Sequence, residues 1–125
     1  MTLALTMFGI RNCDTVKKAR AWLDAAGIDY DFHDYKVSGV EAAQIAAWMD
    51  ALGWDRVLNR AGTTFRKLPD ADKAGLDASR ALALMLAHPS LIKRPILQGL
   101  AGGTPVLLAG FKPESYAALL PPPRG

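Results

Sequence analysis

The chemistry of this 125-residue chain centres on its single cysteine. Cys13 follows a short apolar run, Leu3–Phe8, and precedes a segment whose apolar residues recur at helical spacing. Gly9 breaks the strand pattern, and Asn12 or Asp14 is predicted to cap the helix. Because the start of a helix favours negative charge, we expect a thiolate at Cys13. We therefore interpret Cys13 as a nucleophile, the alternative being a small buried side chain that only packs.

The composition excludes several classes of protein. One cysteine cannot form an internal disulfide, which favours a reducing, cytoplasmic setting. The net charge is only +3 and the basic residues are dispersed, so an anionic small molecule suits the chain better than nucleic acid. The sequence shows neither an apolar run of about 18 residues, as a membrane span needs, nor a signal peptide. Two histidines and one cysteine without ligand spacing predict no metal site.

The elements around the cysteine follow from periodicity. A helix is predicted from about Asp14 to Ala26 and ends at Gly27. Residues 28–33 then alternate between apolar and polar side chains, which is typical of a half-buried strand. Strand, helix and strand at this spacing predict a βαβ unit with parallel strands.

The middle of the chain, about 38–90, is predicted to be mainly helical. Ser38 to Glu41 has the pattern of a capping box, and Gly53 ends the helix that follows. Pro69 to Ala74 is predicted to be a loop, and Asp77 to cap a further helix. This part of the chain is interpreted as an insertion.

The C-terminal part predicts two strands and a helix. Ile96–Leu97 and Val106–Leu108 flank glycines, which indicates a β-hairpin with a loop longer than two residues. Pro113 opens the last helix, and residues 121–125 form a proline-rich tail expected to be disordered.

The order βαβ, helices, ββα predicts an α/β protein with a mixed four-stranded sheet and a helical insertion. This is a thioredoxin-like plan, with residues 1–120 as one domain, and we expect a monomer.

Short motifs spread over nearly the whole chain resemble those of the arsenate reductase/Spx (ArsC) family, and most of all its small YffB-like branch. The motifs are Asn12-Cys13-Asp14-Thr15, Asp34-Tyr35, Gly62-Thr63-Thr64 with Arg66-Lys67-Leu68, and Lys93-Arg94-Pro95.

The resemblance implies roles for particular residues. In the arsenate reductases of this family, a cysteine at the start of the first helix attacks the oxyanion among three arginines. Cys13 matches the nucleophile, and Arg60 and Arg94 match the first two arginines. Lys112 replaces the third, and since lysine lacks the planar fork of arginine, this departure counts against arsenate. The resemblance also implies that Pro95 is the cis-proline that faces the cysteine.

The absence of a second cysteine limits the mechanism. Val16 stands where a Cys-x-x-Cys motif would have its resolving residue, so an adduct on Cys13 requires an external thiol. Glutathione is the expected co-substrate, and no tightly bound cofactor is expected. Asn12 either caps the helix or positions the thiolate. The side chains expected to bind glutathione carboxylates or an anionic or thiol substrate are those of Arg60, Arg66, Arg94 and Lys112.

Three functions remain open on this basis. The leading one is a glutathione-dependent thiol oxidoreductase of the arsenate-reductase-like class. The second is arsenate reductase itself, with glutathione and glutaredoxin completing the cycle. The third is a non-enzymatic regulator like the Spx branch, which binds RNA polymerase. Members of that branch typically carry Cys-x-x-Cys, and Val16 breaks that motif here.

Overall fold

The computed structural model describes residues 3–101 and 103–120. The chain divides into two compact units. The first combines the described residues up to Tyr35 with those from Arg94 onwards, and the second spans Lys36–Lys93. The expectation of a single domain with an insertion at about 38–90 stays a prediction. The predicted tail, 121–125, lies outside the described residues.

The first unit contains a mixed sheet of four strands, β1 (Leu3–Gly9), β2 (Asp31–Asp34), β3 (Ile96–Ala101) and β4 (Thr104–Ala109), in the order β2-β1-β3-β4. Strand β1 is parallel to β2 and antiparallel to β3, and β3 is antiparallel to β4. The predicted α/β class and thioredoxin-like sheet are thereby confirmed.

Two helices of this unit supply the rest of its core. They are α1 (Asp14–Ala25) and α8 (Pro113–Leu119). The apolar face of α1 is fully buried, as its helical spacing predicts, and α8 contributes the buried ring of Tyr116. The buried side chains from these helices, from β1 and from the C-cap of α8 that pack in one cluster are Leu5, Met7, Val16, Ala19, Leu23, Tyr116 and Leu120.

Two boundaries in this unit differ from the prediction. The second strand begins at Asp31 rather than at residue 28, because the backbone N–H of Ile28 bonds the Leu23 carbonyl at 3.0 Å and closes the end of α1. The hairpin loop is shorter than predicted, since β3 and β4 pair as far as Ala101 and Thr104 and leave two residues between them.

The second unit is mainly helical. Its helices, the first of which starts at the last residue of the first unit, are α2 (Tyr35–Ser38), α3 (Ala42–Leu52), α4 (Trp54–Val57), α5 (Thr63–Arg66), α6 (Asp70–Lys73) and α7 (Ala78–Ala87). A 3₁₀ turn at Pro89–Leu91 follows. The Lys93 N–H donates to the Val57 carbonyl at 2.7 Å and connects the end of this unit to α4.

The caps in this unit test the predictions made for it. Asp77 caps α7 as predicted, and its Oδ1 accepts from the Arg80 N–H at 2.8 Å. The capping box at Ser38 is wrong, because Ser38 ends α2 and the N-cap of α3 is Glu41, which makes no side-chain cap bond. The predicted loop from Pro69 to Ala74 is also wrong, since it contains the single helical turn α6.

In the part of the chain that the structure describes, no helix has the length and apolar character needed to cross a membrane.

Candidate active site

Each of the four strands in the first unit has one of its two ends at the same end of the sheet. The register pairs Gly9 with Asp34, Phe8 with Ile96, and Ile96 with Ala109. The segments after β1, β2 and β4 and the segment before β3 therefore leave the same end of the sheet. The carboxyl ends of parallel strands are the usual location of functional side chains in α/β folds. Five predicted site residues lie in these segments or directly beside them: Asn12, Cys13, Arg94, Pro95 and Lys112.

Cys13 occupies the N-cap position of α1. Its backbone is extended, with φ −142° and ψ 125°, and its carbonyl accepts the first helical bond from the Lys17 N–H at 2.9 Å. The thiol is free and half-buried. The N–H groups of the first turn are directed toward this end of the helix, where they favour an anion such as a thiolate.

The predicted cap at Asn12 or Asp14 is wrong. The N-cap residue is Cys13 itself, which makes no side-chain cap bond, while Asp14 is the first helical residue. Asn12 is exposed and lies in the preceding loop. The other role considered for Asn12, a hydrogen bond to the thiolate, stays a prediction.

The loop that carries the cysteine is attached to the end of β2. The Arg11 N–H donates to Asp34 Oδ2 at 3.2 Å, and the Arg11 guanidinium carbon lies 5.9 Å from the centroid of the Phe32 ring. These contacts hold the loop between β1 and α1 beside the neighbouring strand.

The peptide bond between Arg94 and Pro95 is cis, as the family resemblance implied. Pro95 is buried, and its carbonyl accepts from the Gly110 N–H at 2.8 Å, which connects the start of β3 to the residue after β4. Arg94 is half-buried. That Pro95 faces the thiol stays a prediction.

Sequence reasoning did not select Tyr35 as a site residue, although the structure places it directly after β2. Its side chain is 1% exposed, and its hydroxyl accepts a hydrogen bond from the Arg94 guanidinium. Burial raises the pKa of Tyr35 well above its usual value; Arg94 opposes this rise, and the charges of Cys13 and Asp34 add to it. Tyr35 is therefore a neutral phenol in contact with the predicted anion-binding arginine. The Asp34-Tyr35 motif is the sequence feature that could have identified Tyr35 as a site residue.

Lys112 is exposed and is the N-cap residue of α8. It makes no side-chain cap bond, and its carbonyl accepts from the Tyr116 N–H at 3.2 Å. Its backbone is thus fixed at the helix start, in the segment that leaves the same end of the sheet as the cysteine loop.

Arg60 and Arg66 belong to the second unit, and both are exposed. The guanidinium carbon of Arg60 lies 5.7 Å from the centroid of the Trp54 ring. Arg66 donates from Nη2 to the Ala61 carbonyl at 2.8 Å. Their participation in the site stays a prediction.

Within residues 3–101 and 103–120, no group of three or more histidine, cysteine, aspartate or glutamate side chains is close enough to hold a metal ion.

A thioredoxin-like sheet, a free cysteine at the start of the first helix and a cis-proline before the third strand together define a thioredoxin-like thiol protein. The ArsC family model matches residues 8–119, and the chain belongs to this family.

Solved structures and curated sequences support the assignment. The YFFB protein is 54% identical, with a TM-score of 0.86 over 94% of this chain and 99% of that one. An arsenate reductase (ArsC) related protein from Brucella melitensis is 49% identical, with a TM-score of 0.73 over 94% and 95% of the two chains. An uncharacterized protein of Haemophilus influenzae is 40% identical over 91% of this chain and 96% of its own length. The global transcriptional regulator Spx of Streptococcus mutans is 28% identical over 94% and 83%.

Proposed function

We propose that the protein is a glutathione-dependent thiol oxidoreductase of the arsenate-reductase-like class, acting in the cytoplasm as a monomer. The observation that carries this proposal is the half-buried free thiol of Cys13 at the N-cap of α1, at the same end of the sheet as Arg94. A thiolate there is the attacking species in thiol–disulfide exchange.

The reaction has two exchange steps. The Cys13 thiolate attacks the glutathione sulfur of a mixed disulfide between glutathione and a substrate thiol. A Cys13–glutathione disulfide forms, and the substrate thiolate leaves and takes a proton from water. The thiolate of a second glutathione then attacks the glutathione sulfur of that adduct, which releases the Cys13 thiolate and oxidised glutathione. The net change is the reaction of one glutathionylated substrate with one free glutathione thiol, which gives the substrate thiol and oxidised glutathione.

The core of the first unit supports the need for an external thiol. Val16, at the position of a resolving cysteine, is fully buried against the sheet, and Cys13 is the single cysteine of the chain. No intramolecular disulfide is available, so free glutathione, or glutaredoxin acting for it, must resolve the adduct.

Basic side chains supply the binding energy for the carboxylates of glutathione. Arg94 offers a fork of N–H donors suited to a carboxylate, and Lys112 offers a point charge. The family resemblance implies a binding role for Arg60, and Arg66 was predicted from the sequence; both roles stay predictions. Pro95 and Asn12 are proposed to contact the substrate beside the thiol.

The test is turnover of a glutathionylated peptide by the full chain, coupled to glutathione reductase and NADPH. We expect turnover with the wild type, a Cys13–glutathione adduct detected by mass spectrometry, and release of the adduct by free glutathione. Cys13→Ser is expected to lose both turnover and the adduct. Turnover that survives in Cys13→Ser would overturn the proposal.

Arsenate reduction is a second candidate, favoured by the similarity to the arsenate reductase-related protein of Brucella melitensis. One Cys13 thiol and one glutathione would reduce dihydrogen arsenate to dihydrogen arsenite and water, leaving a Cys13–glutathione disulfide. Arsenate-dependent oxidation of glutathione by the wild type, absent in Cys13→Ser, would support it. The lysine at position 112 counts against it.

A third candidate is a regulator that binds RNA polymerase, favoured by the similarity to Spx proteins. Co-purification of RNA polymerase subunits with the full chain, together with the absence of glutathione turnover, would support this candidate over the enzyme.

A further inference from the structure

We propose that Tyr35 is a positioning residue that orients the Arg94 guanidinium for the anionic part of the substrate beside Cys13. The proposal rests on the proposed function, since it concerns the same site. Its basis is the hydrogen bond that the buried Tyr35 hydroxyl accepts from Arg94, at the end of the sheet where Cys13 also lies.

Both partners of this hydrogen bond are attached to the rigid end of the sheet. Tyr35 directly follows Asp34, which pairs with Gly9 and holds the cysteine loop through the Arg11 N–H. Arg94 directly precedes Pro95, whose carbonyl is held by Gly110. A contact between two such positions fixes the arginine head better than a contact from a mobile loop does.

An arginine needs such a partner in order to bind an anion specifically. Its long side chain has several rotatable bonds, and its rotamer freedom opposes binding in a single geometry. A hydrogen bond to Tyr35 uses one of its five N–H donors. The remaining donors are left to hold the carboxylate of a glutathione moiety or another oxyanion.

A phenol suits this task better than a carboxylate would. A buried carboxylate at position 35 would pair with Arg94 and neutralise its charge. Tyr35 stays neutral, because burial raises its pKa above the usual value. The arginine therefore remains positively charged toward the substrate while its direction is fixed.

The experiment compares alkylation of Cys13 by iodoacetate, an anion, and by iodoacetamide, its neutral counterpart. The ratio of the two rates reports positive charge directed at the thiolate. Removing the acceptor in Tyr35→Phe should lower this ratio about three- to tenfold, the effect of one lost hydrogen bond. The iodoacetamide rate should stay close to that of the wild type. The KM for the glutathionylated peptide should rise by a similar factor, with a smaller change in kcat.

Tyr30→Phe is the matched control. The Tyr30 hydroxyl also accepts from an arginine, Arg20 Nε at 3.0 Å, but Tyr30 precedes β2, at the opposite end of this strand from Tyr35. This variant loses the same kind of hydrogen bond and should leave the alkylation ratio unchanged.

A double-mutant cycle with Arg94→Gln tests whether Tyr35 acts through the arginine. If it does, Tyr35→Phe should lower the ratio no further once Arg94 has been replaced. Three results would overturn the proposal: an unchanged ratio in Tyr35→Phe, an equal loss of rate with both reagents, or additive effects in the cycle.

Alkylation requires no glutathione, so the two proposals fail separately. A shifted ratio without any glutathione turnover would retain the role of Tyr35 and remove the proposed function. Glutathione turnover with an unchanged alkylation ratio in Tyr35→Phe would retain the proposed function and remove the role of Tyr35.

Discussion

At the scale of single residues, the reactivity that we propose for Cys13 follows from its backbone position. No hydrogen bond from its own side chain caps α1, so the N–H groups of the first turn are left to interact with the sulfur or with a bound anion. Half-burial of the thiol keeps it accessible to a peptide or glutathione disulfide while limiting its hydration. One thiol, without a resolving partner, then suffices for the proposed cycle.

Lys112 offers a test of charge at this scale. We expect Lys112→Met to raise the KM for an anionic glutathionylated peptide about two- to fivefold, as the loss of one exposed charge interaction predicts. The kcat should hardly change, because the role proposed for the lysine is in binding rather than in sulfur exchange. Steady-state kinetics at low and high salt measure both parameters.

Lys112→Arg is the matched variant for the same position, since it retains the charge and adds the planar fork. Its KM should stay at or below that of the wild type, and the deficit of Lys112→Met should shrink at high salt. An unchanged KM in Lys112→Met at low salt would remove Lys112 from the proposed binding set.

The site could be predicted from the sequence only in part. The position of Cys13 at a strand-to-helix turn was predictable, because the change of periodicity around Gly9 is a local signal. Tyr35 was not, because its contact with Arg94 joins distant parts of the chain and depends on the register of β1 with β2 and β3.

At the scale of elements, the long periodic segments were predicted well and the short ones poorly. The end of α1 was correct to one residue, because its buried stripe is continuous. The single turn α6 has no buried residue, so no apolar pattern marks it. The capping-box pattern is not unique to helix starts, and here Ser38 is the last residue of the turn α2.

The pairing of β1 with β3 depends on one glycine. Gly99 has φ +145°, and a Cβ added there would meet the carbonyl oxygen of Ala4 and approach Leu5 Cα to 3.0 Å. Backbone atoms of a central strand cannot move aside as a flexible side chain can. We therefore expect Gly99→Ala to lower the free energy of unfolding by about 3 kcal/mol or more, combining overpacking with backbone strain. Urea denaturation followed by circular dichroism measures the change.

Gly103→Asn is the control for this prediction. Gly103 lies in the hairpin turn at φ +83°, and nothing lies within 4 Å of an added Cβ. Asparagine tolerates positive φ better than most residues, so the loss should be about 1 kcal/mol or less. Similar losses in both variants would show that the close approach of β1 is not the cause.

At the scale of the whole molecule, the sheet unit contains the cysteine, the cis-proline and two of the four predicted basic residues, Arg94 and Lys112, while the second unit carries Arg60 and Arg66. The stability of the sheet unit can be tested through its two buried tyrosines. Burial raises the pKa of both Tyr35 and Tyr116, and the neighbouring Tyr30 adds to the effect at Tyr116. In the unfolded chain the same groups ionise near pH 10.

A tyrosine whose pKa is higher in the folded chain than in the unfolded chain contributes its full stabilisation at pH values below the pKa of the unfolded chain. Above about pH 10 the unfolded chain loses these protons and the folded chain keeps them, so unfolding becomes easier as the pH rises. The free energy of unfolding should fall by up to about 1.4 kcal/mol per pH unit for each tyrosine. Urea denaturation at a series of pH values on both sides of about 10 measures this slope.

Tyr116→Phe separates the contribution of one tyrosine from every other titrating group. The difference in the free energy of unfolding between the variant and the wild type should be constant at neutral pH. It should change in favour of the variant above about pH 10, where only the wild type can ionise at this position. Among the described residues the buried Tyr116 hydroxyl has no hydrogen-bond partner, so its removal should also stabilise the protein by about 1 kcal/mol at neutral pH. A variant with the same alkaline slope as the wild type would show that Tyr116 ionises equally in both states. A variant that is less stable at neutral pH would show that the hydroxyl is hydrogen-bonded within the fold.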